Sequence, residues 1–334
     1  MTKQLEVKAA MPRRKLAMAV AFGAMMLLGA LAHAQAFPNR PIRLIVPYPA
    51  GNAADTQARL IAEKLGASLR QPVLVDNRAG ASGQIGITAV ARSAPDGDTL
   101  VMGQLGAFAV APHTYKNVPY DVRRDFVPVA QVSSNYLVLF ANGKLPVNTL
   151  QELLAAARKN PGKYSFGTNG EGGLPHLMME LLMAETGVKL THVPYKGVGQ
   201  IATDLIAGQI DLALDSYSGM ISYTKDGRLK ALASSAGKRM AEAPNLPTFK
   251  ESGVPNYEVH GFFGIFAPSG TPPQIVSALN SAINDAVRKP DVQEKLRTLG
   301  YEPVTGTPEA FGKTFQAAYD TWRQVVKSIG FVPQ

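Results

Sequence analysis

Cysteine is absent from all 334 residues. That excludes disulfides, thiolate metal sites, cysteine nucleophiles and a lipid-bearing N-terminal cysteine, so the core alone must stabilise the fold. Clustered charge is missing too. Lys and Arg outnumber Asp and Glu by 34 to 25, but the surplus is dispersed, without the basic runs and interleaved aromatics that nucleic-acid binding requires. No Gly-x-Ser-x-Gly elbow occurs, because Gly80-Ala81-Ser82-Gly83 breaks the pattern. Gly80, Gly83 and Gly86 lack the spacing of a dinucleotide fingerprint,. Gly312-Lys313-Thr314 imitates the end of a phosphate loop, but Gly306 lies one position too far upstream,. His113, His176, His192 and His260 show no metal-ligand spacing,. No cofactor or metal is expected.

One long apolar run is present, and it comes first. Met11 to Lys15 is basic, Leu16 to Leu31 is mostly apolar, and Ala32-His33-Ala34 fits a small-x-small cleavage site. Together these predict a secretory signal cut after Ala34. The run is short for a bilayer span, which needs roughly 20 residues, and no later segment replaces it. Residues 1–34 are therefore read as a signal peptide on an exported, periplasmic protein without a membrane span after cleavage. Both Met1 and Met11 stand as starts. Removing Lys3, Lys8, Arg13, Arg14, Lys15 and Glu6 brings the net charge from +9 to about +5, a mild preference for anions.

The remaining chain alternates strands and helices. Ile42 to Val46, Val73 to Asp76 and Thr99 to Met102 read as buried strands, with helices over Asp55 to Leu69 and Gly80 to Ala91,. A second series follows: strands at Tyr136 to Phe140, Tyr164 to Phe166, Leu190 to Val193 and Ile210 to Leu214, and helices at Leu150 to Lys159, His176 to Glu185 and Ile201 to Ala207. Phe262 to Phe266 reads as a return strand and Ile275 to Val287 as a closing helix. The pattern predicts an α/β fold of two lobes, each a mostly parallel sheet flanked by helices, connected by short crossing strands with a cleft at the joint.

Two loops at strand ends carry the chemistry. Tyr48 to Asp55 includes Ala50, Gly51 and Asn52, small or polar residues ahead of a helix start. Free N–H groups there suit an anion; the plainer reading is an ordinary turn capped by Asn52 or Asp55. Thr168, Asn169, Gly172 and His176 repeat the arrangement in the second series. Asp215 ends a strand and reads either as a cleft acceptor or as a cap. An enzyme with His176 and Asp215 as acid and base is one rival reading, which no nucleophile–base pattern supports; a ligand-sensing receptor feeding a membrane signalling partner is the other.

Pro41 to Gly51 with Asp55, Val75 to Arg78 with Gly80 to Gly86, Ala94 to Gly97, Pro119-Tyr120-Asp121, His192 to Gly197, Gly227 to Ala233 and Phe266 to Pro272 together resemble the Bug proteins, solute receptors of the tripartite tricarboxylate transporter family. The resemblance runs from about Phe37 to the C-terminus. It implies a Venus-flytrap fold of the type II kind, with residues 35–135 and 260–334 in one lobe and 136–259 in the other. It also implies a small carboxylate as ligand, membrane transporter subunits as partners, and no enzymatic activity. Tyr48 to Asp55 and Thr168 to His176 match loops that clasp a carboxylate, Asp215 matches an acidic residue, and Gln104 to Phe108 matches another cleft loop. Two departures stand out. Asn52 replaces a glycine, and Ala107 and Phe108 fall where polar residues are more common. A less polar distal pocket, suited to a longer aliphatic or aromatic carboxylate, is the expectation.

Overall fold

The computed structural model describes residues 37–168, 170–195, 198–240 and 242–333. The expected signal segment, its cleavage site and Asn169 lie outside the described residues. Every element below belongs to the compact unit Arg40–Gln334.

Three apolar strands begin the unit: β1 (Ile42–Val46), β2 (Val73–Asn77) and β3 (Thr99–Gln104). They pair in parallel in the order β2-β1-β3, with Leu44 between Val75 and Leu100. Helices α1 (Ala53–Leu69) and α2 (Gln84–Ala91) connect them. Helix α1 starts where the Asn52 side chain accepts from the Asp55 amide, and its Ala54, Ala58, Ile61 and Leu65 stripe faces the sheet,. Helix α2 begins later than the periodicity predicts. Gly80, Ala81, Ser82 and Gly83 all have positive φ (130°, 47°, 55° and 95°) and form a turn, because left-handed residues cannot enter an α-helix,.

The central element is β4 (Phe126–Asn142), 17 residues long. Its first part pairs antiparallel with β9 (His260–Pro268), from Phe126 opposite Pro268 to Tyr136 opposite His260, and with the short β10 (Glu302–Pro303). From Leu137 onward it pairs instead with β7 (Leu212–Ser216) and β8 (Leu229–Ser234). Strands β5 (Ser165–Thr168) and β6 (Thr191–Pro194) extend this second series in parallel beyond β7. Helices α4 (Leu150–Lys159), α5 (Leu174–Thr186) and α6 (Val198–Ala207) belong to it, and α3 (Ala111–Thr114) follows a π-helical turn at Gly106–Val110 in the first. The full order is β2-β1-β3-β9-β4-β7-β5-β6, with β8 and β10 also on β4. The outward crossing from the first series to the second is made within this one long strand, and the chain crosses back between β8 and β9. The N-terminal half of β4 is hard to read because it carries Gln131, Ser133 and Ser134, which are buried yet paired, Ser133 donating to Gln57 at 2.6 Å,.

After two short helices, α7 (Tyr217–Met220) and α8 (Ser222–Lys225), the chain returns through β9 to α9 (Pro273–Val287), α10 (Pro290–Thr298) and α11 (Pro308–Ser328). These last three start with proline in the first turn, where no N–H is needed,. Helix α11 lays Phe311, Phe315, Tyr319 and Trp322 against the sheet. Phe108 sits inside this aromatic group, its ring stacked 4.2 Å from Phe266 and edge-on to Phe126 at 5.3 Å. It is fully buried. The wide turn that contains it directs its neighbours Leu105, Gly106 and Ala107 the other way, so the expectation of Phe108 in the cleft is corrected.

Phe108→Ala is expected to lower unfolding stability by about 3–5 kcal/mol, the usual cost of deleting a core aromatic, read by denaturant unfolding. Gly103→Ala should also destabilise, because its methyl would fall 2.7 Å from Phe266 and 2.8 Å from Phe108; stability unchanged in both would remove Phe108 from the core.

Candidate functional site

A cavity of about 530 Å³ lies beyond the carboxyl ends of β1, β3 and β5, where open α/β sheets hold ligands. Tyr48 reaches it from the β1 loop, Gln104 to Ala107 from the end of β3, and Gly170 to Pro175 from the loop after β5. Asn135 and Gly261 to Phe263 supply the wall from β4 and β9. Loops from both strand series therefore meet at one place. Gly172 shows how closely: a Cβ there would come within 3.0 Å of the Phe331 ring and 3.7 Å of Thr114. Its φ of 71° also favours glycine,.

The first loop is stapled from within. Asp55 accepts from the Gly51 amide at 2.8 Å, from Arg59 at 3.0 Å and from Asn77 at 2.9 Å. Asn77 also donates to the Tyr48 carbonyl at 3.1 Å. Burial works against the Asp55 charge, but the bonds from Arg59, Gly51 and Asn77 outweigh it and hold the carboxyl below its usual range,. Asn52 and Asp55 thus shape the loop, and neither they nor Ala50 and Gly51 line the cavity. Tyr48 does, with its phenol hydrogen-bonded to Gln104 and its pKa raised by burial.

In the second loop, Thr168 donates to the Gly170 carbonyl at 3.0 Å and lies 2.6 Å from His192 Nε2. The Gly172 amide donates to His176 Nδ1 at 3.0 Å. The two imidazoles stack with centroids 3.9 Å apart and planes 17° apart, and Phe166 stacks on His192 at 5.0 Å. Of the three described residues expected here, Gly172 lines the cavity, and Thr168 and His176 stand behind it. Asp215 lies outside it at the end of β7, accepting from the Ser216 amide and hydroxyl at 2.6 and 3.2 Å. Burial raises its pKa.

The sequence reading missed Ser82, Tyr115 and Asn135. Ser82, in the positive-φ turn, shares a 3.1 Å hydrogen bond with Tyr115, and both line the cavity. Asn135 lies directly over Gly261, where a Cβ would fall 2.1 Å from its Oδ1. A glycine at the crossing of two strands was the available signal. Among the described lining residues there is no Lys, Arg or His, and Glu171 is the one carboxylate. Leu105, Ala107, Val110, Ala111, Phe262 and Phe263 make an apolar side. Among the described residues no group of three or more His, Asp or Glu is placed to hold a metal ion.

Burial, and then the neighbouring His176 ring, lower His192 to about 4. Its folded pKa therefore lies below the ordinary value of about 6.5. Between those values the unfolded chain binds more protons, so this contribution is complete above about pH 6.5 and declines as pH falls toward about 4. Thermal unfolding across that window should show the decline, and His192→Gln should flatten it; an identical profile in both proteins would remove His192 as its source.

Residues 57–331 match the model of the tripartite tricarboxylate transporter family receptor. Protein BugT of Bordetella pertussis is 37% identical over 304 residues, covering 91% of this chain and 93% of that protein. An R. palustris protein solved with adipate is 34% identical with a TM-score of 0.77, covering 89% of this chain and 100% of the other. MatC from Rhodopseudomonas palustris, solved with malate, is 32% identical with a TM-score of 0.73, covering 87% and 100%. The match spans most of the chain, and the two strand series around one cavity are those of a two-lobed periplasmic-binding-protein fold; the chain belongs to the Bug-type receptors of the tripartite tricarboxylate transporter family.

Proposed function

We propose that this protein captures a small organic carboxylate in the periplasm and delivers it to the membrane subunits of a tripartite transporter, without transforming it. One observation carries the reading: a cavity closed by strand-end loops of both series offers amides, phenols and carboxamides but no side-chain cation among its described residues. Such a site neutralises a carboxylate with oriented dipoles and releases it again. The lobes would divide at 135/136 and 259/260, next to the point between Tyr136 and Leu137 where β4 exchanges β9 for β7 and β8 as partners. No helix of the described residues is long and apolar enough to cross a membrane.

The ligand's charged end would lie near Tyr48, Gln104 and the Gly170–Gly173 loop, shaped from behind by Asn52, Asp55, Thr168 and His176. Its body would lie along Leu105, Ala107, Val110 and Phe262, which favours an aliphatic or aromatic skeleton over a polyhydroxylated one. The relatives solved with adipate and malate support a carboxylate of this size. Hydrogen bonds to a charged group contribute about 1.5–3 kcal/mol each. Three or four of them, less ordering and closure costs, fit a Kd near a micromolar, or about −8 kcal/mol.

A thermal-shift panel of aliphatic and aromatic mono-, di- and tricarboxylates, amino acids and sugars tests the reading. A ligand at a hundredfold excess over Kd adds about 2.7 kcal/mol of stability. Shifts with one carboxylate class and recovery of that ligand unchanged are expected; shifts only with sugars would overturn the proposal. Gln104→Ala and Asn135→Ala should each weaken binding of the responding carboxylate by about tenfold, or 1.4 kcal/mol, with cooperative unfolding retained. Wild-type affinity in both would take these side chains out of the site.

A further inference from the structure

His176 and His192 do not line the cavity, yet both hold the loop that does. The geometry fixes their tautomers. To accept from the Gly172 amide, His176 Nδ1 must keep its lone pair, which leaves the ring proton on Nε2, 3.4 Å from Glu180. The single Thr168 hydroxyl proton goes to the Gly170 carbonyl. Thr168 Oγ1 must then accept from His192 Nε2–H at 2.6 Å,. Each neutral ring thereby anchors one end of the Gly170–Gly172 segment.

We propose that His176 and His192 are positioning residues for ligand capture, holding the Gly170–Gly173 loop in its binding form only while the His176 imidazole is neutral, since His192 donates through Nε2–H in either state,. A proton added at His176 Nδ1 would set N–H against N–H and detach the Gly172 amide. Two charged rings cannot share a 3.9 Å stack,. Phe166 covers the His192 side, and the Phe331 edge meets His176 at 6.2 Å, so neither offers a replacement acceptor. Among the described residues, the charged groups facing the pair are Glu180, on the same helix as His176, and Glu171, on the loop itself. Both carboxylates favour a charged imidazole beside them,. By linkage, a carboxylate that needs the ordered loop favours neutral His176, and acid weakens its binding. This last step rests on the carboxylate-capture reading; the loop mechanism does not.

The test follows the Gly172 amide by NMR in the intact protein from about pH 7.5 to about pH 4, the range in which imidazoles titrate. Wild type is compared with His176→Asn, whose Oδ1 stands where Nδ1 stood and accepts without titrating. His192→Gln, which keeps a donor for Thr168, is the second variant, and far-UV circular dichroism certifies the fold at each pH. Expected is a loss of Gly172 amide protection of at least about tenfold on acidification of the wild type, with protection retained in His176→Asn and the acid response still present in His192→Gln. Protection independent of pH in the wild type, or lost equally in His176→Asn, overturns the proposal. A parallel titration with adipate should show affinity falling with pH in the wild type more than in His176→Asn, which experiences the same change in adipate ionisation. No adipate binding at either pH would count against adipate as ligand, and the Gly172 result would still decide the positioning role.

Discussion

The hydrogen-bond ladder of β4 is the constraint from which the rest follows. One strand serves two sheets, exchanging β9 for β7 and β8 between Tyr136 and Leu137. The exchange leaves no gap, with Tyr136 opposite His260 and Leu137 opposite Ser216, and Asn135 stands beside it with its side chain over Gly261. Any side chain larger than hydrogen at Gly261 would occupy that carboxamide's place. The cavity wall is therefore a by-product of the connection. The same residues that let the chain pass from one series to the other leave a polar group facing the space between them.

The two loops that close this space are built on opposite plans. The first is held by a carboxylate: Asp55 gathers the Gly51 amide, Arg59 and Asn77 around an ionised group, with Asn52 capping the helix behind it. The second is held by two neutral imidazoles and a hydroxyl. A permanently charged staple is insensitive to pH across the neutral range, and an imidazole staple is not. One wall of the cavity is thus fixed and the other is conditional. A receptor that must release its cargo has use for both.

Much of this was legible in the sequence where one physical rule governs. Strands β1 to β3 and helix α1 follow from apolar periodicity, and Asn52 reads as a cap from its position alone. Periodicity fails in the first half of β4, because Gln131, Ser133 and Ser134 look like a polar linker until their partners across the fold are known. It fails again at Phe108, which follows a cleft loop in sequence but turns into the core on a π-helical turn. Ser82 lies in a glycine-rich stretch that reads as a helix start, and four consecutive positive φ angles make it a turn instead. Local sequence located the loops correctly as strand-end features. Which of their residues face inward depended on contacts between distant segments.

The Gly172 amide brings these threads to one atom. Its residue is glycine for two independent reasons: a left-handed φ of 71° and the Phe331 ring 3.0 Å from where a Cβ would be. Closure at this point therefore needs a bare backbone. Bare backbone offers its N–H readily to a ligand, yet here the N–H is donated to His176. The donors left for a carboxylate on this side are the remaining loop amides and the first turn of α5, where Pro175 contributes none and orphan N–H groups are normal,. A committed amide cannot add affinity directly. What it does is fix the direction of its neighbours, and in a cavity with no side-chain cation among its described lining residues, direction is what turns weak dipoles into a site,.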